Sequence, residues 1–170
     1  SEAQWEYCGT PGGNNVLSLA VNGNNIFAGT EIGVYLSTNN GQNWAQMDWF
    51  GVISLAISGN YMFAGTNVSG VYRSTNNGQT WYQTALNNRT VHSLAVNGIW
   101  IFAGTDIGIY RSIDNGSNWV LSTFSDEALS FAKCGNNMFA GTNHWGLHYT
   151  TNNGNPWQPV GLSSQTVHSL

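Results

Sequence analysis

One eight-residue pattern occurs four times along the chain, and it restricts the fold more than any other feature. It reads Ser37-Thr38-Asn39-Asn40-Gly41-Gln42-Asn43-Trp44, then S-T-N-N-G-Q-T-W from Ser74 to Trp81. Two further copies are S-I-D-N-G-S-N-W from Ser112 to Trp119 and T-T-N-N-G-N-P-W from Thr150 to Trp157. Asn, Asp and Gly accept the positive φ angles of tight hairpins, so each copy predicts a turn between two strands.

The repeat extends well beyond the turn. Segments related to Val16-Leu17-Ser18-Leu19-Ala20-Val21 begin again at Val52, Val91, Ala128 and Val167, 36 to 39 residues apart. Phe-Ala-Gly-Thr recurs from Phe27, Phe63, Phe102 and Phe139, and a third row begins at Gly33, Gly70, Gly108 and Gly146. The four tryptophans Trp44, Trp81, Trp119 and Trp157 open a fourth row. Apolar residues alternate with a period of two, as in strands, and the internal Gly and Asn disfavour helical arrays of similar repeat length. Four short antiparallel strands per repeat, A to D from the inside outward, make the blade of an all-β propeller. The blades are expected at about 16–51, 52–90, 91–127 and 128–166.

Two half-blade segments flank them. Gln4-Trp5-Glu6-Tyr7 resembles a D strand, so residues 1–15 read as one, and 167–170 read as the start of an A strand. Three arrangements satisfy this inventory: a segment of a longer propeller, a ring completed by several chains, or a short ring closing on a two-stranded blade. Bare strand edges favour association, so either a homo-oligomer or a missing segment is expected to complete the ring. Cys8 on an outermost strand and Cys134 at the end of an innermost one are expected to remain two thiols.

Composition excludes several functions. Charged residues make up 7% of the chain, against about a quarter in ordinary domains, so Asn, Ser, Thr, Gln and Gly must cover the surface. Lys133 is the single lysine and the net charge is −4, which is unsuited to binding nucleic acid. No apolar run is long enough for a membrane span, and nothing at the start resembles a signal peptide. The two cysteines form no zinc motif, so no metal and no cofactor are expected.

The turn pattern S-x-[D/N]-x-G-x-x-W resembles the Asp-box, or BNR repeat, of sialidases, xyloglucan-degrading glycosidases, sortilin-type receptors and photosystem-assembly factors. Ser37, Asn39, Gly41 and Trp44 match it, as do Ser74, Asn76, Gly78 and Trp81. The third and fourth copies match through Ser112, Asp114, Gly116 and Trp119, and through Thr150, Asn152, Gly154 and Trp157. Only Asp114 keeps the acid; Asn accepts the same turn hydrogen bonds. The resemblance implies a structural role for the boxes, away from the ligand-binding face.

That face carries the B-to-C and D-to-A loops, where the repeat breaks down. Candidate ligand contacts are Glu31, Asp48, Trp49, Asn67, Asp106, Asn143, His144 and Trp145. Trp49 and Trp145 lie outside the repeated Trp position, and an aromatic face beside Asn and acids suits sugar stacking with hydroxyl hydrogen bonds. The plainer alternative packs both rings on neighbouring loops. Glu31 and Asp106 are the carboxylates of a glycosidase reading, which requires a separation of about 5–9.5 Å; as repeat equivalents two blades apart they are expected to exceed it. His92 and His168 read as channel lining. No catalytic residue is assigned. The expected function is a non-catalytic binding or scaffolding module for a carbohydrate or protein, outside the cell. The alternatives are a lectin-like module, a glycoside hydrolase fragment and a structural or engineered repeat protein without ligand.

Overall fold

The computed structural model describes residues 10–170. After a short 3-10 turn at Pro11–Gly13, sixteen strands form four four-stranded antiparallel sheets. The first contains β1 (Val16–Asn22), β2 (Asn25–Thr30), β3 (Gly33–Ser37) and β4 (Ala45–Asp48). The second contains β5 (Ser54–Ser58), β6 (Tyr61–Gly65), β7 (Val71–Ser74) and β8 (Tyr82–Gln83). The third contains β9 (Val91–Asn97), β10 (Trp100–Thr105), β11 (Gly108–Ser112) and β12 (Val120–Leu121). The fourth contains β13 (Ala128–Cys134), β14 (Asn137–Thr142), β15 (Leu147–Thr150) and β16 (Gln158–Gly161). Each sheet is a meander in chain order, and the first strands β1, β5, β9 and β13 pack on one another in succession. This is the propeller-type all-β architecture expected from the repeat.

Local chemistry shapes each hairpin. Between A and B strands a Gly at φ of about +60° leads a two-residue turn at Gly23, Gly59, Gly98 and Gly135. Between C and D strands, Ser37 Oγ accepts from Gly41 N at 2.8 Å and donates to Asn39 Oδ1 at 3.0 Å. Asn39 Oδ1 in turn accepts from Asn43 N at 2.9 Å. Ser74 with Asn76, and Ser112 with Asp114, repeat the arrangement. The fourth copy departs from it. Pro156 stands where Asn43, Thr80 and Asn118 stand and has no N–H to offer. Asn152 instead turns its amide to donate to the Asn155 carbonyl at 3.2 Å. The indole N–H of Trp81 reaches Gly78 O at 3.0 Å and that of Trp119 reaches Gly116 O at 3.1 Å, whereas Trp44 and Trp157 find no such partner among the described residues.

Successive blades meet through a repeated joint. A Cβ placed on Gly29, Gly65 or Gly141 would lie 2.7–2.8 Å from Cγ1 of Val52, Val91 or Val167, the first residue of the next repeat. These glycines are needed for close approach, not for an unusual φ. The same valines donate backbone N–H bonds of 2.8–2.9 Å to Thr30, Thr66 and Thr142 of the preceding blade. Phe27, Phe63 and Phe102 are fully buried, each beside the C–D turn glycine of the following blade, Gly78, Gly116 and Gly154. Burying such a ring contributes about 1.5–3 kcal/mol. Three apolar clusters result, one for each pair of neighbouring blades. Arg73 and Arg111 reach across two of the joints to the Asn115 and Asn153 carbonyls, both at 2.8 Å.

The outer blades differ. Val16 is 42% exposed and Leu19 62%, whereas their equivalents Val52 and Leu55 are 0% and 7% exposed. Residues 167–170 do not form the expected strand; Val167 alone docks on Thr142. The D strand expected around Trp5, and Cys8, lie outside the described residues; Cys134 is exposed and forms no disulfide among them. Among the described residues no helix is long and apolar enough to cross a membrane.

Gly65→Ala should destabilise the protein by about 1–3 kcal/mol in urea unfolding, because its methyl meets Val91 at the joint. An unchanged midpoint and slope would show that the joint does not require glycine.

Candidate functional site

The B–C loops share one scaffold. The threonine ending each Phe-Ala-Gly-Thr run donates its hydroxyl across the loop, from Thr30 to Gly33 O at 3.0 Å and from Thr66 to Gly70 O at 2.9 Å. Thr105 reaches Gly108 O at 2.8 Å and Thr142 reaches Gly146 O at 3.0 Å. The same oxygen accepts a loop amide, from Ile32, Ser69, Ile107 and Trp145 respectively. The loops are therefore fixed supports for whatever side chains they carry.

The densest polar constellation joins blades three and four. Asp126, in the loop between β12 and β13, is buried, and its Oδ2 accepts the backbone N–H groups of His144 at 3.0 Å and Trp145 at 2.9 Å. Its Oδ1 lies 3.0 Å from His144 Nδ1. Glu127 Oε2 accepts from Asn143 Nδ2 at 2.7 Å, and its Oε1 lies 2.8 Å from His92 Nε2. The His92 contact has ion-pair distance without hydrogen-bond alignment. Trp145 rests edge-on against Phe124, ring centroids 5.6 Å apart, and remains 49% exposed. Beneath them His148 is buried, 4.8 Å from the Phe124 ring, with Nδ1 unpartnered.

Electrostatics reinforce this arrangement. Burial works to raise the Asp126 pKa, but hydrogen bonds from His144, Thr142 and Trp145 outweigh it and hold the carboxyl below its ordinary value. Asp126 is thus an anion tying the blade-four loop to the blade-three loop. For His148, burial lowers the pKa and outweighs the opposing charge of Asp126. Away from this site, hydrogen bonds from Asn118, backbone first, and from Ser112 overcome burial and lower the Asp114 carboxyl to about 2.

Of the eight candidates, the structure brings Asn143, His144 and Trp145 together. Glu31 and Asn67 share a different cleft of about 390 Å³, walled by Leu17, Val52 and Ile53. Trp49 is 78% exposed, its backbone N–H held by Asp48 Oδ1 at 2.7 Å. Asp106 lies exposed on the blade-three loop, its backbone N–H donated to Thr90 O, and does not line the Glu31 cleft. His92, Phe124, Asp126, Glu127 and His148 complete the Trp145 site but were not among the candidates. The available signal was the adjacent acid pair Asp126–Glu127, unique among the D–A loops. Among the described residues no group of three or more His, Cys, Asp or Glu is arranged to hold a metal ion.

No family model and no curated protein matches the chain. Solved structures do. An ancestral GH74 enzyme is 23% identical with a TM-score of 0.70, over 89% of this chain and 27% of that one. The extracellular domain of a hybrid two-component system from B. thetaiotaomicron is 18% identical with a TM-score of 0.76, over 91% of this chain and 24% of that one. YCF48 bound to D1 peptide is 16% identical with a TM-score of 0.70, over 92% of this chain and 56% of that one. These likenesses identify the fold as propeller-type. The chain spans about a quarter of the length of the first two.

Because burial depresses the folded-state pKa of His148 below 6.5, the unfolded chain protonates first as the pH falls. Stability tied to the neutral ring is complete above pH 6.5 and declines as the pH drops toward the folded-state value. Thermal unfolding from pH 7.5 to 5 should show this slope in the wild type and a shallower one in His148→Phe; equal slopes would contradict the assignment.

Proposed function

We propose that the chain is a non-catalytic binding module of Asp-box propeller blades, working outside the cell, with a carbohydrate as its ligand. The observation that carries this reading is Trp145, half-exposed yet held by Phe124, with Asn143, Glu127 and His144 around it. An aromatic plate stacks on the apolar face of a sugar, while the amide and carboxylate bond its equatorial hydroxyls. Asp126 is committed to two loop amides and the His144 ring, which supports a binding role over proton transfer. The hydroxyl–Asn/Asp–Gly hydrogen bonds of the turns support the Asp-box reading, and the low charge supports an extracellular setting. The uncovered Val16–Leu19 face would seat a further blade, from a longer chain or a second copy.

The test is calorimetry with cello-oligosaccharides, preceded by a glycan array. Trp145→Ala should weaken binding at least about tenfold, while Trp49→Ala leaves it unchanged. Undiminished binding by Trp145→Ala, or no binding to any glycan, would overturn the proposal.

A further inference from the structure

The end of the molecule opposite the Trp145 site, formed by the A–B and C–D turns, carries exposed aliphatic side chains at the turns of one blade only. At the second residue of the A–B turn, blades one, two and four carry Asn24, Asn60 and Asn136, and blade three carries Ile99. The next position is Asn25, Tyr61 or Asn137 elsewhere and Trp100 here. The residue after the hydroxyl of the C–D turn is Thr38, Thr75 or Thr151 elsewhere and Ile113 here. Ile99 is 69% exposed, Ile113 57% and the neighbouring Val120 59%. Trp100 packs on the core between blades three and four beneath Arg111, as Tyr61 sits beneath Arg73 in blade two. The other blades carry Asn and Thr at the Ile99 and Ile113 positions, so the turns do not require those two apolar side chains. Isolated exposed apolar residues are ordinary, but these adjoin one another. Trp100, Ile113 and Val120 line a cleft of about 380 Å³, and Trp100 with Ile99 lines a second of the same size toward Asn136 and Asn153.

Two features beside this patch indicate what would cover it. Asp114 lines the first cleft and is the one acid among the four equivalent positions, the others being Asn39, Asn76 and Asn152. It has no cationic partner among the described residues. The nearby Arg111 is engaged elsewhere, donating to Asn153 O and covering the Trp100 ring 5.0 Å from its centroid. Beside the cleft runs β12, the outermost strand of its sheet, paired only on its β11 side. An unpaired edge accepts an extended peptide as a further strand, and alternate side chains of such a peptide select the pockets beside it.

We propose that the turn end of blade three is a docking surface for an extended peptide segment of a partner protein. Such a segment adds to the outer edge of β12, places an apolar side chain in the Trp100–Ile113–Val120 cleft and sets a Lys or Arg against Asp114. This surface is separate from the Trp145 site and does not depend on its ligand.

The repeat itself supplies variants that should fold. Ile99→Asn, Trp100→Tyr and Ile113→Thr together install the residues of blade two, Asn60, Tyr61 and Thr75, and keep an aromatic ring beneath Arg111. Asp114→Asn restores the majority residue of the turn. The probe is a random heptapeptide library displayed on phage and selected on the full wild-type chain, with circular dichroism confirming that each variant is folded. Enriched peptides should pair an apolar residue with a nearby Lys or Arg. Synthetic copies should bind the triple variant at least tenfold more weakly. They should bind Asp114→Asn about two- to fivefold more weakly, as for one exposed ion pair, and Trp145→Ala with unchanged affinity. Three results would overturn the proposal: no enrichment over the triple variant, enriched peptides without a basic residue, or a wild-type dimer in sedimentation that the triple variant abolishes. The last would assign the surface to a second copy of the chain.

Discussion

The close approach between a glycine on one blade and the first residue of the next repeat, a valine except at Ala128 opposite Gly104, sets the spacing of the stack. A side chain at Gly29, Gly65 or Gly141 would occupy the place of Val52, Val91 or Val167. With that contact made, the neighbouring phenylalanine falls beside the following turn glycine and a core forms between the sheets. No blade has a core of its own; each buries its faces only against a neighbour, as repeat architectures require. The exposure of Val16 and Leu19, which no sheet among the described residues covers, follows from the same rule.

With the frame fixed in this way, side chains at non-repeating positions are free to differ. The threonine-braced B–C loops hold Glu31 in one blade and Asn143, His144 and Trp145 in another without altering the strands. Asp126 illustrates how the proposed binding surface is assembled between blades. It belongs to one blade's outgoing loop, yet it fixes the backbone amides of the next blade's B–C loop, and so positions Trp145. The rigidity of the site comes from this crossing, in which a buried carboxylate satisfies two amides and a histidine ring.

The fold was legible in the sequence wherever the interactions were local. The hairpins close through bonds spanning two to four residues, such as Ser37 to Gly41 and Asn39 to Asn43, and their signal repeats four times. The joint glycines were visible as a repeated letter, but their reason was not, since Val52 comes from the following repeat. The site was legible only in part. Trp145 stood out as an aromatic beyond the repeated position, whereas the Asp126–His144 contact spans eighteen residues and has no periodic counterpart. Trp100 breaks the repeat as plainly as Trp145 does, but lies at the turn end, away from the loops where a ligand was expected. Pro156 is plain in the fourth copy, but the turn of the Asn152 amide that its missing N–H brings about is visible only in the structure.

The central claim is that the repeated residues build the frame and the non-repeating ones bind. Amide NMR of the full chain titrated with cellohexaose tests it most directly. The account predicts shifts concentrated at residues 124–127 and 143–148, with the four C–D turns undisturbed. Shifts centred on those turns, with the Asp126 and Trp145 amides unmoved, would contradict it.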